Sequence, residues 1–416
     1  MSEHKFRYML PPGTHFRFVD KFKTWIWLSV FLTIATVAVL FVNKSVRGDY
    51  MNWTIDFSGG TEIVFAFEDK AGKYVEVDAG KVRKAFSDSG EQGLDIGEIR
   101  YAEGAATVSG MLVKTPRFSG LKPETAQRVA DTFRQTFANR EVVKASWSGD
   151  RLFVRSKKPI TAAEAGPVFA AAGLELKPAA AATTKADEGT GEYNQVFATW
   201  GLDRQYAQIL ERALPGTHVV VVQTSGVGAK AGDKLRGDAA KSLIYALALI
   251  MLYLAFRFDI RYAPGAAFAV IHDVVMVIGV YAVTWTEVSL TSVAALLTVM
   301  GYSVNETVIS FDRIRENEQK LKTTSLERII DISINERLTR TVMTASTVFA
   351  TTLIMNIFGT GLVKNFAFAM NVGVLVATYS SIFLAAPIFL WISKTWYSGP
   401  PKRRRAEPIV EPEATT

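Results

Sequence analysis

Six long apolar stretches, nearly free of charge, limit what this chain can become more than any other feature. They fall at 25–42, 238–258, 262–284, 288–311, 341–360 and 365–393. Each approaches the roughly 20 residues that a helix needs to cross about 30 Å of hydrocarbon. In lipid a segment must satisfy its own backbone N–H and C=O groups, so each is expected to be a helix. The second ends near Arg257, whose aliphatic stem can snorkel to the interface. With 49% hydrophobic content over 416 residues, the chain is too polar for a bare bundle of spans and too apolar for a soluble enzyme. The balance lies in segment 43–237, which separates the first span from the other five.

Lys and Arg set the expected orientation. The leader 1–24 carries Lys5, Arg7, Arg17, Lys21 and Lys23. The Arg257–Arg261 turn carries two basic residues, and the amphipathic 312–340 segment carries seven, Arg337 and Arg340 among them. Tail 394–416 adds Lys394, Lys402, Arg403, Arg404 and Arg405, whereas the loops near Trp285–Glu287 and Gly359–Lys364 contribute only Lys364. Both termini are therefore expected in the cytoplasm and 43–237 on the far side of the membrane. Topology accounts for the net charge of +7 without nucleic acid as a partner. The first run is longer than a signal-peptide core and ends in Val-Asn-Lys-Ser, with no small-x-small cleavage site, which favours an uncleaved anchor. Without cysteine, disulfides and thiol chemistry are excluded.

Segment 43–237 alternates strand and helix patterns. Strands are predicted at 62–67, 96–101, 106–114 and 141–147, with helices at 79–89 and 123–138. That order, βαββαβ, is ferredoxin-like. A similar succession follows: strand 151–155, helix 162–172, strands 174–176 and 193–199, helix 203–214 and strand 218–223. Two readings stand: two related α+β units at 56–148 and 150–224, or one unit with a long insertion. Pro178–Glu192, low in complexity, is predicted to be a loop, and Asp187, Glu188 and Asp203 read as solvated surface.

Nothing catalytic converges. His4, His15, His218 and His272 have no metal-ligand spacing, and no HExxH, GxSxG or phosphate-loop motif is present. No enzyme activity, cofactor or metal is expected. The chemistry lies instead in the spans. Glu306 sits within the fourth, where an ionisable group costs roughly 2.5–3.5 kcal/mol or more and usually marks an ion path or a partner. Asn305, Ser303 and Thr298 give it polar neighbours, although a carboxylate this near the span's end can also snorkel. His272 and Asp273 interrupt the third span; a hairpin pivoting near 285–287 sets residue 272 opposite 301. They read equally as part of a relay or as a helix–helix lock. Arg340 opens the fifth span, as an interface anchor or as a partner for Glu306. Before the first predicted strand, Asp56-Phe57-Ser58-Gly59-Gly60-Thr61 reads on its own as a turn.

Several stretches together resemble the SecD/SecF family of the bacterial Sec export machinery: IDFSGGTEI (55–63), AFRFDIRYAPGAAFAVIHD (255–273), ALLTVMGYSVNETVISFDRIREN (295–317) and ERLTRTVMTAS (336–346). The resemblance implies half of a transporter of the resistance-nodulation-division type, with six membrane helices and a periplasmic α+β domain between the first and second. It implies assistance to preprotein translocation across the bacterial cytoplasmic (inner) membrane, driven by the proton motive force. The implied partners are a SecD-like subunit meeting the spans around Gly301 and Gly373, a SecYEG-type channel, YidC-type and YajC-type proteins, and unfolded preproteins. Carried onto this sequence, the family's proton residues fall at Glu306 and Arg340, with Asn305, His272 and Asp273 as weaker candidates. Its sequence motif falls at Asp56, Phe57, Gly59 and Gly60. Two departures stand out: the carboxylate is Glu rather than Asp, and the 43–237 segment is about twice the expected length. A small-molecule or lipid exporter of the same superfamily and a non-transporting scaffold are the alternatives.

Overall fold

The computed structural model describes residues 15–103, 106–183, 189, 191–257 and 260–396. The basic residues Lys5 and Arg7, His4, Asp187, Glu188 and the 402–405 cluster lie outside the described residues. Among the described residues, six helical segments are long and apolar enough to cross a membrane. The first is α1 (Phe22–Arg47), which stops at Gly48. After the α+β domain come α7 (Ala229–Arg257), α8 (Ala263–Thr284), α9 (Leu290–Lys320) and α10 (Leu326–Phe358). The last crossing is α11 (Gly361–Ser380), continued through a π-helical turn at Ser381–Ala385 into α12 (Ala386–Trp396).

Local chemistry explains the helix ends. Pro264 lies in the first turn of α8, where its missing N–H costs nothing. A capping box, Ser289 with Ser292, opens α9. Helix α8 is the centre of the bundle, with Ala266, Ala269, Val270 and Val277 fully buried. Helices α1 and α7 are peripheral: Trp27, Phe31 and Ile34 on one, and Ile244, Leu249 and Phe256 on the other, are exposed. The 312–340 segment is not a separate amphipathic element. Helix α9 runs on to Lys320 and α10 begins at Leu326, so both extend well past the apolar spans.

Between α1 and α7 the elements are α2 (Ile55–Ser58), β1 (Gly60–Glu68), α3 (Ala79–Asp88), β2 (Asp95–Glu103), β3 (Ala106–Thr115), α4 (Pro123–Thr136), β4 (Val142–Ser148) and β5 (Arg151–Ser156). They continue as α5 (Ala162–Ala171), β6 (Leu176–Thr183), β7 (Tyr193–Thr199), α6 (Leu202–Ala213) and β8 (His218–Val227). Two four-stranded sheets form, ordered β2-β3-β1-β8 and β4-β5-β7-β6, with every pairing antiparallel.

This order corrects the division into consecutive units at 56–148 and 150–224. The first unit is β1, α3, β2, β3, α6 and β8; the second, α4 to β7, is inserted between its β3 and α6. Helix α4 packs Val129, Ala130 and Phe133 against Leu152, Phe169 and Phe197 of the insert. Helix α6 instead sends Tyr206 and Leu210 into the first core, with Ile63, Phe65, Phe86 and Val113. Taken with β7 as its first strand, the insert has the same spatial order, 4-1-3-2, as the first unit. It is a ferredoxin-like fold in circularly permuted form.

The predicted loop from Pro178 is also revised. Residues through Thr183 extend β6, which pairs Ala181, Ala182 and Thr183 with Phe197, Val196 and Gln195. Where the units join, Asp150 accepts hydrogen bonds from Ser119 Oγ (2.6 Å), Gly120 N (2.9 Å) and Leu202 N (3.0 Å).

Asp203, expected at the surface, is only 3% exposed and receives Lys177 Nζ at 2.5 Å. Burial pushes its carboxyl up, but the Lys177 hydrogen bond and charge, with the N–H groups of Arg204 and Gly201, hold it below the usual range. A depressed carboxylate stabilises the fold above its unfolded pKa, and that contribution disappears as pH falls through the folded value. Asp203→Asn is therefore expected to lower the thermal midpoint near neutral pH. The gap from wild type should begin to narrow as pH drops below about 3.9 and close only below the depressed folded value. A constant gap across both conditions would show that the lost contact is not electrostatic.

Candidate functional site

The fourth and fifth spans cross so that Glu306 meets Arg337. Arg337 Nη2 donates to Glu306 Oε2 at 2.7 Å and to Thr341 Oγ1 at 2.8 Å, while Nη1 donates to the Glu306 carbonyl at 2.8 Å. The side chains are 8% and 3% exposed, so this is a buried ion pair. Arg337 Nε and Thr307 Oγ1 are also buried, with no hydrogen-bond partner among the described residues. The arginine arrives here through helical spacing. Ile330, Ser333, Ile334, Arg337 and Thr341 fall on the buried stripe of α10, whereas Arg340 and Thr344 fall on an exposed one.

Arg340, the expected partner, is therefore exposed and does not meet Glu306. Asn305 is likewise exposed on α9, one position round from the buried carboxylate. Arg337 shares the buried side of α10 with a second charge, Asp331, which accepts from the backbone of Phe18 and Val19, so burial of a charge on this helix does not by itself single out the partner of Glu306.

A second buried cluster lies deeper. Asp273 is fully buried and accepts hydrogen bonds from Ser303 Oγ (2.6 Å) and Ser380 Oγ (2.8 Å). His272 Nδ1 lies 3.1 Å from Asp273 Oδ1, and its Nε2 lies 2.8 Å from Tyr379 Oη. Tyr379 packs against Trp25 of the first span. The last crossing adopts its π-helical turn directly after Ser380; such turns insert an extra residue and often occur at functional sites. Ser303 is one helical turn before Glu306 on α9, so both clusters border the same helix.

The motif at Asp56–Gly60 is a joint between the domain and the bundle. Val288 N donates to Asn52 O at 2.7 Å and Thr54 N donates to Val288 O at 3.0 Å, so the chain leaving α1 pairs with the α8–α9 connection. Asp56 Oδ2 accepts Leu290 N (3.3 Å) at the start of α9. Phe57 is buried edge-on to Trp53, over which Arg236 of α7 lies at 4.6 Å. Gly59 and Gly60 have φ of +73° and +115°. A Cβ would lie 2.8 Å from Ala229 Cα at the first and 2.3 Å from the Thr115 carbonyl oxygen at the second. Only glycine fits either position. Lys114 of β3 pairs with Glu287 across the joint, and burial pushes the nearby Glu62 carboxyl up against the opposing Lys114 charge.

A family model described as protein export membrane protein SecD/SecF, C-terminal, matches residues 207–395. Over 377 residues the chain is 31% identical to protein translocase subunit SecF of Gemmatimonas aurantiaca, covering 90% of this chain and 88% of that protein. The chain belongs to the SecF family. Other family members match over shorter stretches. SecF of Rhodobacter capsulatus is 43% identical over 44% of this chain and 56% of its own length. SecF of Rhodothermus marinus is 37% identical over 48% and 65%. The fold is similar to that of SecDF from Thermus thermophilus, with a TM-score of 0.58 and 24% identity over 93% of this chain. It spans 40% of that SecDF chain. With the family shown, the six apolar helices describe a multi-pass membrane protein. The Asp56–Gly60 joint and the Glu306 region fall on the family-like stretches of the sequence.

Proposed function

We propose that this SecF-family protein is an accessory subunit of the Sec translocase in the cytoplasmic membrane. In this reading it works with a SecD-like half and uses the proton motive force to promote preprotein export through a SecYEG-type channel. The buried Glu306–Arg337 pair carries the proposal. A carboxylate held by a guanidinium within a membrane bundle changes its bonding when it gains a proton. Protonated Glu306 loses its charge attraction for Arg337, and α10 is then free to shift against α9. The Asp273–His272–Tyr379 cluster, bordering the same helix, supplies polar groups on a route from the far side. Movement at the start of α9 would reach the domain through the Asp56 and Val288 contacts.

The uncovered faces support a partner half. Gly301 and Asn305 on α9 and Arg340 on α10 are exposed, so they are where a SecD-like bundle would close. Gly373 does not belong to that face, because it is buried against Val299 inside the chain. The Lys/Arg pattern supports cytoplasmic termini, with the α+β domain on the far side, where it meets the emerging preprotein.

The test is export into proteoliposomes holding the channel, this protein and its SecD-like partner, with and without a proton gradient. Glu306→Gln keeps the volume and the hydrogen bonding but cannot ionise. It is expected to assemble normally and to lose the gradient-dependent increment of export. Full retention of that increment would leave a scaffold in place of a proton-coupled machine.

A further inference from the structure

Strand β8 closes one sheet edge, and it is an unusual edge. Its inner side pairs with β1 from Gly60↔Val227 to Glu68↔His218. Among the described residues, no strand pairs with its outer side. Natural proteins guard such edges with Lys, Pro or inward-pointing charges. Here the strand reads His-Val-Val-Val-Val-Gln-Thr-Ser-Gly-Val, with none of these; its one irregularity is a bulge at Val222, which the register with β1 skips, and Val222 to Thr224 are exposed.

The edge opens into a cleft of about 1410 Å³. The opposite wall is one face of the inserted sheet, formed by Arg151 and Phe153 of β5 and Val196 and Ala198 of β7. Helices α4 and α5 cover the other face of that sheet, through Leu152, Val154 and Phe197. Phe153 is 42% exposed and Val222 40%. The charges lining the cleft balance: Arg151, Lys177 and Arg204 against Asp150, Asp203 and Glu211.

These features select the occupant. Small-molecule sites are typically about 300–1,000 Å³, and this cleft exceeds them. Balanced charge argues against a polyanion, which needs a basic lining. Val219 N at the start of the strand donates to Glu211 Oε1 at 3.3 Å; beyond it, the outward backbone N–H and C=O groups are of the kind another extended chain complements, and the Phe153 face accepts its apolar side chains. We propose that the outer edge of β8 is a strand-addition site for an extended, unfolded polypeptide, which binds through its backbone and so tolerates many sequences. That the polypeptide is a preprotein in transit rests on the reading under Proposed function; the binding itself does not.

The probe is a fluorescein-labelled peptide of alternating Val and Thr, about ten residues long to match β8 at about 3.3 Å per residue. Anisotropy is read on the purified full-length protein in detergent. A second peptide carries N-methyl groups on alternate residues, which leaves the side chains unchanged and removes the donors. Saturable binding is expected, weakened at least about tenfold by methylation, or about 1.4 kcal/mol. Val222→Lys and Phe153→Asp, both at exposed positions, are expected to weaken it similarly with circular dichroism unchanged. Equal affinity for the two peptides, or binding untouched by both variants, overturns the proposal. So does a dimer that occupies the edge and excludes peptide, because the occupant is then a second copy. Glu306→Gln should bind peptide normally. Loss of gradient-driven export with peptide binding intact counts against neither proposal, whereas absent binding with export intact counts only against this one.

Discussion

Arg337→Met is expected to destabilise the protein by about 3–5 kcal/mol, the usual result of removing one partner from a buried ion pair. The substitution leaves Glu306, 2% exposed, without its guanidinium partner in an apolar bundle, and it also removes the bond to Thr341. Arg340→Ala provides the contrast. Arg340 is exposed, so its loss is expected to move stability by no more than about 0.5 kcal/mol. The double variant Glu306→Leu with Arg337→Met separates stability from function. Replacing a buried pair by apolar side chains of similar volume is often neutral or stabilising. That variant is expected to regain the wild-type thermal midpoint while failing to respond to a proton gradient. Thermal unfolding of the detergent-solubilised protein reads the first outcome, and vesicle export the second. If Arg337→Met melts with the wild type, the ion pair does not hold α10 to α9.

Gly60→Val should disable the joint. At φ +115° a side chain carries about 1–3 kcal/mol of backbone strain before any contact is counted. The new Cβ would also lie 2.3 Å from the Thr115 carbonyl oxygen, in the first pair of the β1–β3 ladder, Thr61↔Thr115. Either β1 shifts register or the strand leaves the sheet. The β8 pairing through Gly60↔Val227 would be disturbed with it. The expected result is a lower unfolding midpoint for the α+β domain and loss of export stimulation even if the membrane bundle stays folded. An unchanged midpoint, measured alongside near-wild-type export, would show that β1 enters the sheet without needing this backbone.

Much of the architecture was legible because lipid imposes a simple rule. A charge-free run of about 20 residues in hydrocarbon must be helical, and only its length is needed to count spans. Glu306 was legible for the same reason, being ionisable where ionisation is expensive. The glycines of the 56–61 motif could be flagged, but their cause could not. Read alone they suggest a turn, and only the approach of Ala229 and Thr115, distant in sequence, explains them.

The partner of Glu306 shows where sequence reasoning stopped. Arg337 and Arg340 are three residues apart, and both are basic at the mouth of one span. Which of them faces α9 depends on how α10 is rotated about its axis, a packing decision made by Ile330, Ile334 and their neighbours. The nested domain has a similar cause. A succession of helix, strand, strand, helix, strand, strand can be divided in more than one frame, and each strand's hydrophobic alternation says which face is buried without naming its sheet. The sequence by itself determined six spans, an α+β domain after the first and a costly carboxylate in the fourth, because solvent and local periodicity dictate these. Pairing Glu306 with Arg337, sending α6 and β8 back to the first sheet and leaving the outer edge of β8 open were decided only by tertiary structure, because each depends on contacts between residues far apart in the chain.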